Sequence, residues 1–308
     1  MAKWLVTGGC GFIGSHLVDE LLRQGHETRA LDNLSTGRRG NLPKSAELIV
    51  GDVADPDALA CAAEGVDGIF HLAAVASVER CRIDWLGSHR TNLTGTLNVL
   101  DAARRAALPL PVVYASSAAV YGDSNQLPLS EVAPTRPLSA YGVDKLGGEW
   151  HAKVGWTVYS VPSVGLRLFN VYGPRLDPCS PYSGVIAIFA DRIAANREIE
   201  IYSDGKQTRD FVFVSDVVAH FIEAMAGLRT GAAIFNVCSG RATCILDLAQ
   251  TIGRIVGRRV IIRHRPGRKG DIRASLGDPA AARAALSLVA KTDIRDGLEK
   301  TLKSPAIG

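Results

Sequence analysis

Three side chains in the middle of the chain carry groups that can move a proton. Tyr141 and Lys145 lie four residues apart in a predicted helix, so their side chains share one face of that helix. A free phenol has a pKa of about 10 and is a poor base at neutral pH, but a neighbouring ammonium and an oxidised nicotinamide would favour the phenolate. Ser117 follows an apolar run upstream, and its hydroxyl can hydrogen-bond a substrate alcohol and its developing alkoxide. The three residues predict general-base chemistry on a hydroxyl group, although a solvated helix face and a polar strand end would explain them as well.

A glycine-rich segment near the amino terminus is typical of a dinucleotide site. Gly8, Gly11 and Gly14 stand between the first predicted strand and the first predicted helix, where a tight turn lets a pyrophosphate approach a helix N-terminus. The spacing is GxxGxxG rather than the commoner GxGxxG, and glycines alone also fit a turn without a ligand. The acid at the end of the second predicted strand strengthens the prediction of a cofactor.

That acid, Asp32, stands at the offset where a carboxylate receives the ribose hydroxyls of adenosine. A carboxylate repels a 2′-phosphate, so it favours NAD over NADP. Arg38 and Arg39 just downstream could pair with the extra phosphate and weaken that preference. We expect NAD.

The elements that must position these residues alternate along the first half of the chain. Short apolar or β-branched runs predict strands at residues 4–7, 28–31, 47–50, 68–72, 112–115 and 164–168. Longer runs between them predict helices at residues 13–24, 57–63, 85–107 and 140–154. Such alternation predicts βαβ units and an α/β fold with a Rossmann-like, doubly wound parallel sheet.

After about residue 170 the pattern loosens into loops punctuated by proline and glycine. Helices are predicted at residues 185–195, 216–226 and 246–256, and strands at 199–202 and 260–263. We therefore expect residues 1–170 to form the NAD-binding domain with the catalytic residues and 171–308 to form mainly a smaller substrate-binding lobe. No internal repeat or low-complexity linker separates them, so we expect one packed unit.

The composition of the chain limits the classes of protein to which it can belong. The chain has 308 residues, 47% of them hydrophobic and 21% charged, which excludes disorder and a small disulfide scaffold. No apolar run reaches the roughly 18 residues of a membrane span, and the first residues do not resemble a signal peptide. We therefore expect a cytoplasmic location. Six irregularly spaced cysteines without a CxxC pair predict reduced thiols and no metal site.

The densest basic region is residues 258–269, in a chain of formal net charge +4. Nucleic acid is one partner for such a patch, and a small diphosphate beside an arginine-bearing strand is another. Because no nucleic-acid-binding motif accompanies it, we expect the small anion and neither nucleic acid nor a membrane as partner.

The motifs taken in order resemble the extended short-chain dehydrogenase/reductase family, and within it the UDP-glucose (UDP-galactose) 4-epimerases. They are TGGxGxIG at 7–14, Asp32-Asn33-Leu34, Asp52-Val53, His71-Leu72-Ala73-Ala74, Ser116-Ser117 with Val120-Tyr121-Gly122, Tyr141 with Lys145, and LFNVYGP at 168–174. They cover nearly the whole chain and follow the family's order. The resemblance implies a homodimer as well as an enzyme.

The resemblance also implies roles. Ser117 and Tyr141 would contact the sugar O4, and Lys145 would hold the nicotinamide ribose and tune Tyr141. Tyr141 would take the O4 proton while C4 gives its hydride to NAD, and the 4-ketohexose would turn over and recover the hydride on its other face. Asp52-Val53 would cap the adenine. The implied NAD contacts are Gly8, Gly11, Phe12, Ile13, Gly14, Asp32, Asn33, Asp52, Val53, Leu72, Ala73, Ala74, Asn92, Tyr141 and Lys145.

The implied contacts to a nucleotide-diphosphate sugar lie mostly in the second half. Besides Ser117 and Tyr141 they are Asn170, Tyr202, Arg209, Arg268, Asp271 and Ser275. Arginines suit a diphosphate because their planar donors bind two oxygens at once, and the tyrosine would pack near uracil. Ordinary surface ion pairs or a packed ring would explain each singly. Ser275 is small where some relatives carry tyrosine, so we expect room for a 2-acetamido group.

Two alanines narrow the chemistry. Related 4,6-dehydratases carry an Asp-Glu pair after the hydroxyl residue, and related decarboxylases carry a glutamate at the second position, but Ala118 and Ala119 stand here. Epimerisation needs no further acid. A UDP-glucuronate 4-epimerase, or another nucleotide-sugar oxidoreductase such as a reductase, remains open. A non-catalytic NAD-sensing protein is the alternative of another class, which the three catalytic groups disfavour.

The dimer that the resemblance implies is built on a four-helix bundle of the predicted helices 85–107 and 140–154. A stripe of Leu97, Leu100 and Ala103 agrees with such an interface. The same stripe would equally be buried against the sheet of a monomer.

Overall fold

A computed structural model describes residues 1–176, 184–228, 230–267 and 272–303. The strands in these ranges are β1 (Lys3–Thr7), β2 (Glu27–Asp32), β3 (Glu47–Val50), β4 (Gly68–His71), β5 (Val112–Ser117), β6 (Ser163–Leu168), β7 (Asn170–Tyr172), β8 (Ile199–Tyr202), β9 (Thr208–Phe213), β10 (Ala232–Val237), β11 (Ala242–Cys244) and β12 (Ile262–Arg265). The α-helices are α1 (Phe12–Arg23), α2 (Pro56–Ala63), α3 (Val78–Ile83), α4 (Trp85–His89), α5 (Gly95–Arg105), α6 (Ala140–Tyr159), α7 (Val185–Ala194), α8 (Val214–Gly227), α9 (Ile245–Val256), α10 (Ala280–Leu286) and α11 (Ile294–Lys303).

The centre of the molecule is a seven-stranded parallel sheet in the order β10-β6-β5-β4-β1-β2-β3. The chain builds this sheet outward from β1, first through β2 and β3 on one side and then through β4, β5 and β6 on the other. The strand order therefore reverses between β1 and β4. Ligands of open α/β sheets bind at such a switch point, beyond the carboxyl ends of the strands. The predicted Rossmann-like, doubly wound sheet is confirmed.

Helices cover both faces of the sheet because successive strand residues point to opposite faces. On one face, α1 and α8 pack on the sheet through Leu17, Leu21 and Phe221. On the other face, α2, α5 and α6 pack in a second cluster that includes Leu59 and Val99. Each cluster is fully buried apolar surface, the dominant stabilising contribution to such a fold.

The second half of the chain adds a separate apolar cluster. It joins a three-stranded sheet in the order β11-β9-β7 and the paired strands β12 and β8 to the helices α7, α9 and α11. Tyr172, Phe189 and Leu248 are among its buried members. β10 does not belong to this cluster, since it lies in parallel register beside β6 in the central sheet. The division of the chain at residue 170 stays a prediction.

The predicted elements of both halves are present, with two changes of detail. The helix predicted at 85–107 is α4, a π-helical segment at Arg90–Thr94, and α5, because an extra residue enters the helical ladder there. The strand predicted at 260–263 lies two residues later, as β12. The pattern did not predict α3, α10, α11 or the strands β7, β9, β10 and β11. No helix in the described part of the chain has the length and apolar character that crossing a bilayer requires.

Candidate active site

The glycine-rich turn after β1 leaves no room for a side chain at Gly8 or at Gly14. Gly8 has φ of 71°, and a β-carbon on it would lie 2.8 Å from the Ala73 backbone nitrogen. A β-carbon on Gly14 would collide with the Gly8 carbonyl oxygen. Gly11 caps α1 without a side-chain hydrogen bond, so the N-terminal N–H groups of the helix face the turn. This cradle has the form that a pyrophosphate needs.

Asp32 is fixed at the carboxyl end of β2 beside this turn. Its side chain is buried, and its carboxylate accepts hydrogen bonds from the backbone nitrogens of Cys10, at 2.9 Å, and Leu34, at 2.8 Å. A β-carbon at Gly37 would lie 2.8 Å from the carboxylate, so the neighbouring loop also approaches it closely. The acid is therefore positioned at the switch point, as an adenosine ribose would require.

Two of the predicted NAD contacts, one after β2 and one after β3, form a hydrogen-bonded edge. Asn33 donates to the Asp52 carboxylate at 3.0 Å, and that carboxylate also accepts the Ala54 backbone N–H at 2.8 Å. Val53 is 3% exposed and packs in the core against Gly95, which leaves its side chain turned into the protein. The structure thus brings Asn33 and Asp52 together and separates the Val53 side chain from them.

The loop after β4, which carries Leu72, Ala73 and Ala74, is held by a chain of hydrogen bonds. The Ala73 N–H donates to the Thr7 hydroxyl at 3.3 Å, and that hydroxyl lies 2.8 Å from Nδ1 of His71. Nε2 of His71 lies 3.0 Å from the Thr96 hydroxyl, which itself donates to the Asn92 carbonyl at 2.7 Å. Because the Thr96 proton is used, His71 must donate from Nε2 and accept at Nδ1.

The direction of this chain requires a neutral imidazole. Burial, together with the charge of nearby Lys145, lowers the pKa of His71 to about 3. Asn92 has a related task, since its side-chain oxygen accepts from the Val75 N–H at 2.8 Å and its amide donates to the Val75 carbonyl at 3.2 Å. Asn92 therefore clamps the loop on which the predicted cofactor contacts lie.

The three proton-transfer groups converge at the carboxyl end of β5. Ser117, the last residue of β5, lies close enough to the Tyr141 phenol for side-chain hydrogen bonding to lower the pKa of that phenol. Nζ of Lys145 donates to the Ala115 carbonyl at 2.9 Å and lies 5.8 Å from the centre of the Tyr141 ring. The convergence predicted from the sequence is present.

Local packing explains why α6 begins where it does. Ser139 caps the helix by accepting the Gly142 N–H at 3.1 Å. A β-carbon on Gly142 would lie 2.7 Å from the Ala119 carbonyl oxygen, so the first turn of α6 presses on the turn that follows Ser117. Tyr141 is thereby held beside the serine.

The electrostatics of the site depend on burial. Removal from water raises the pKa of Tyr141 to about 12, and the Ser117 hydrogen bond opposes this rise. Burial lowers the pKa of Lys145 to about 8, which nearby Asp144 and Cys81 oppose. In the protein alone the tyrosine is therefore a phenol at neutral pH, and a bound cation beside it would favour the phenolate.

A buried ion pair lies behind these groups. Arg167 of β6 donates to both carboxylate oxygens of Glu149, at 2.9 and 2.6 Å, and the Ser116 hydroxyl donates to the same carboxylate at 2.5 Å. Arg167 also donates to the Tyr121 hydroxyl at 2.9 Å. Sequence reasoning missed this network, although Glu149 follows Lys145 by four residues and so shares its helix face.

The predicted substrate residues divide into three groups. Arg209 donates to the carbonyls of Thr208, at 2.9 Å, and Ile272, at 2.7 Å, and the Ser275 N–H donates to the Thr208 carbonyl at 3.2 Å. The segment around Ser275 thus runs along β9 and brings Ser275 and Arg209 together. Asn170 begins β7 beyond the carboxyl end of β6, and Tyr202 ends β8. The predicted contacts Arg268 and Asp271 lie outside the described residues.

The basic strand β12 is largely neutralised by its neighbour. Arg265 binds Glu200 of β8 at 2.6 Å, and Arg263 lies 3.8 Å from Glu198. These two arginines therefore stabilise the pairing of β8 and β12, where the sequence favoured an anion site. Asp210 was also missed: its buried carboxylate accepts N–H groups of Ser239 and residues 240 and 277, and so fixes the loops beside Arg209.

A doubly wound sheet with a glycine cradle and an acid at its switch point, and with a serine, a tyrosine and a lysine converging beyond the next strand, defines a dinucleotide-dependent enzyme. The chain belongs to the NAD dependent epimerase/dehydratase family, whose model matches residues 4–238. The cofactor of the family is NAD.

The named relatives indicate which kinds of enzyme within this family the chain is similar to. The chain is 38% identical over 307 residues to a UDP-glucose 4-epimerase of Mycolicibacterium smegmatis. This match covers 98% of this chain and 97% of that protein. It is 33% identical to UDP-glucuronic acid decarboxylase 1 of Arabidopsis thaliana, over 96% of this chain and 68% of that protein. Among solved structures, UDP-glucose 4-epimerase of Thermotoga maritima with UDP-glucose matches with a TM-score of 0.93 and 33% identity, covering 98% of this chain and 97% of that one. The protein is therefore a nucleotide-sugar enzyme of the epimerase type.

Proposed function

We propose that this protein inverts C4 of a UDP-hexose, UDP-glucose or UDP-galactose, through a 4-keto intermediate. The observation that carries the proposal is the convergence of the Ser117 and Tyr141 hydroxyls with the Lys145 ammonium beyond β5. Such a set can take a proton from one sugar alcohol and give it back. The named epimerase relatives support the same reaction.

The residues fit an NAD molecule at the switch point. The cradle at Gly8 and Gly14, which has no space for β-carbons, would hold the pyrophosphate over the N-terminus of α1, and Asp32 would bind the adenosine ribose. Lys145 would hold the nicotinamide ribose. NAD, when bound, would supply a hydride acceptor and donor, and its nicotinamide would add a second positive charge to that of Lys145 beside Tyr141.

Each catalytic residue has one task in this proposal. Tyr141 takes the proton from O4 of the sugar and later returns it. Ser117 hydrogen-bonds O4 and stabilises the developing negative charge on it. Lys145 keeps positive charge beside the phenolate, because its ammonium lies 5.8 Å from the ring centre. The 4-ketosugar turns over in the pocket between the two transfers, so the reaction has no net redox change.

The residues after Ser117 favour epimerisation over the other reactions of the family. Ala118 and Ala119 have no proton to give or take, so elimination of water or assisted loss of a carboxyl group has no acid or base at this turn. Because decarboxylases are also among the relatives, UDP-glucuronate belongs in any substrate panel.

The proposed sugar-nucleotide contacts lie around β9. Arg209, with Arg268, would bind the diphosphate, Tyr202 would pack near uracil, and Asn170 and Asp271 would complete the pocket. The small Ser275 leads us to propose that UDP-GlcNAc and UDP-GalNAc are accepted as well. Ser275→Tyr should then lose activity on the acetylated sugars and keep it on UDP-glucose. No turnover of UDP-GlcNAc by the parent protein would contradict this part.

We also propose a homodimer, built on the exposed faces of α4 and α6 rather than on the stripe of Leu97, Leu100 and Ala103. Leu100 is 7% exposed and Ala103 is fully buried, because both pack in the core under the sheet. Large apolar side chains are exposed instead along α4 and α6: Trp85, Leu86, Val143, Trp150, Val154 and Val158. Several large apolar side chains exposed on two helices that pack together are typical of an interface, and two helices from each copy would form the bundle.

The test of the proposed function has two parts. The purified protein is denatured and the released nucleotide identified, and UDP-glucose, UDP-galactose, their N-acetylated forms and UDP-glucuronate are then assayed for C4 inversion by NMR in deuterated water. Hydride retained at C4 is expected. Tyr141→Phe should keep NAD and lose several orders of magnitude in rate.

Tyr159→Phe is the matched control, since this tyrosine ends the same helix and is 49% exposed. It should leave the rate unchanged. An active Tyr141→Phe variant, or C4 inversion with deuterium incorporated at C4, would contradict the proposal.

A further inference from the structure

Residues 272–278 form a strap that runs along the start of β9. The N–H of Thr208, the first residue of β9, donates to a strap carbonyl at 3.0 Å, and the Thr208 carbonyl accepts the Ser275 N–H at 3.2 Å. The guanidinium of Arg209, the next residue, donates to another strap carbonyl at 2.7 Å. The contact between the strap and β9 therefore places Arg209 and Ser275, two of the proposed substrate contacts, relative to each other.

The far end of the strap reaches the catalytic half of the chain. Leu129 donates its N–H to the Leu276 carbonyl and accepts the Asp278 N–H, both at 2.8 Å. Leu129 is 3% exposed and packs in an apolar cluster with Tyr121, which ends the turn after the catalytic serine. The strap thus connects the turn beside that serine with the segment that carries the proposed diphosphate contact.

One buried carboxylate holds the middle of the strap. Asp210, in β9, is fully buried, and its Oδ2 accepts the N–H groups of Gly277, at 3.2 Å, and Gly240, at 3.0 Å. Its Oδ1 accepts both the N–H and the hydroxyl of Ser239 at 2.7 Å. Burial raises the pKa of Asp210, and these hydrogen bonds oppose the rise. The acid therefore joins β9, the loop after β10 and the strap.

The strap also packs closely on the loop that the same acid binds. A β-carbon on Gly277 would lie 2.6 Å from Sγ of Cys238 and 2.7 Å from the ring of Phe169. Both of those side chains are buried, so neither could move aside without a rearrangement of the interior. The absence of a side chain at Gly277 thus lets its N–H approach the Asp210 carboxylate.

We infer that Asp210 is a positioning residue, which holds the strap on β9 and thereby places Arg209 and Ser275 for a nucleotide-diphosphate sugar. The inference rests on the proposed function, in which both of these residues contact the substrate. A buried acid is costly, and an apolar side chain of similar size is often at least as stable in such a place. The order that Asp210 imposes on the strap and on the loop at residues 239–240 therefore explains its presence better than stability does.

The decisive experiment compares substrate binding with turnover for Asp210→Ala. The variant removes the acceptor of all four hydrogen bonds, so the strap loses its attachment to the middle of β9. KM for UDP-glucose and Kd for UDP should rise at least about tenfold, and kcat should stay within about threefold, because the strap holds substrate contacts rather than proton-transfer groups. The affinity for NAD should equal that of the parent.

Asp216→Ala is the matched control, because this half-buried acid of α8 accepts the Thr292 N–H at 3.0 Å, outside the strap. Its KM and Kd should equal the parent's. If Asp210→Ala fails to fold, as thermal unfolding would reveal, Gly277→Ala carries the test, because it displaces the strap and keeps the acid. Gly277→Ala should raise Kd for UDP in the same way, and Gly227→Ala, with open space around its β-carbon, should not.

A KM and a Kd within about twofold of the parent's for Asp210→Ala would overturn the inference, as would a loss of kcat at unchanged KM, which a purely structural role would give. Binding of UDP separates this failure from failure of the proposed function. If the parent binds UDP and inverts C4, but Asp210→Ala binds UDP as tightly, only the role of Asp210 is refuted. If the parent binds neither UDP nor UDP-glucose, the proposed function is refuted and the inference fails with it.

Discussion

Removal of Glu149 from the buried ion pair should destabilise the fold more than any surface charge change. Glu149 and Arg167 each have 6% of the side chain exposed and are joined by two hydrogen bonds. Glu149→Leu leaves the guanidinium in the interior without its carboxylate. Breaking one side of a buried pair costs about 3–5 kcal/mol of unfolding free energy. Arg167 keeps its hydrogen bonds to the Tyr121 hydroxyl and the Glu131 carbonyl. We therefore expect a loss of unfolding free energy at the lower end of this range, about 3 kcal/mol.

The double variant separates the pair from the space it fills. Glu149→Leu with Arg167→Met replaces both charges by apolar side chains of similar reach, and such replacements are often neutral or stabilising. The double variant should therefore be more stable than Glu149→Leu alone, with a coupling of about 2 kcal/mol between the two positions.

The measurement is urea and thermal unfolding of the parent, the two single variants and the double variant at pH 7. A change of 1 kcal/mol shifts Tm by about 2 °C in a chain of this size, so Glu149→Leu should lower Tm by about 6 °C or more. Glu20→Gln is the surface control: its partner Arg23 has 71% of its side chain exposed, and the loss should be below about 1 kcal/mol. A Glu149→Leu variant as stable as that control, or a double variant no better than the single, would refute the reasoning.

Three further predictions concern other parts of the molecule. Gly14→Ala should lower NAD affinity at least about tenfold in equilibrium binding, because its β-carbon would collide with the Gly8 carbonyl. The control Gly40→Ala, which has open space around its β-carbon, should bind NAD as tightly as the parent does. The neutral His71, with a pKa lowered from 6.5 to about 3, contributes stability that is complete above pH 6.5 and is lost as pH falls toward 3. In denaturant melts, the unfolding free energy of His71→Gln should therefore fall less steeply with decreasing pH than that of the parent. Equal pH dependence of the two unfolding free energies would contradict this prediction. Trp150→Glu, on the exposed face of α6, should give monomers in light scattering if the homodimer uses that face.

Much of the fold was predictable because its signals are local. The strands of the first half are short apolar runs between turn residues, and the helices between them are long and periodic, so the parallel sheet followed from the alternation. β10 was missed for the opposite reason. Its sequence, Ala232–Val237, is an apolar run of ambiguous type, and its partner β6 lies about 70 residues away in the chain. Pairing at that distance leaves no periodic signal in the sequence.

The candidate site likewise has one part that local sequence signals predict and another part that they do not. Tyr141 and Lys145 could be placed together because a helix puts residues four apart on one face, and Glu149 would have followed from the same rule. Arg167 could not, because its approach depends on how α6 packs on the sheet. The contact between Thr7 and His71 joins residues 64 positions apart, and only the pairing of β1 with β4 brings them together.

The position of β10 at the edge of the central sheet has a consequence for anyone who wishes to divide the protein. A fragment that ended near residue 170 would leave β6 as an open edge, with the N–H and C=O groups of Ser163–Leu168 free to join a strand of another molecule. Such fragments should form edge-to-edge assemblies on storage. An isolated cofactor half would have to carry residues 232–237 with it, for example by circular permutation, so that its own strand covers the edge.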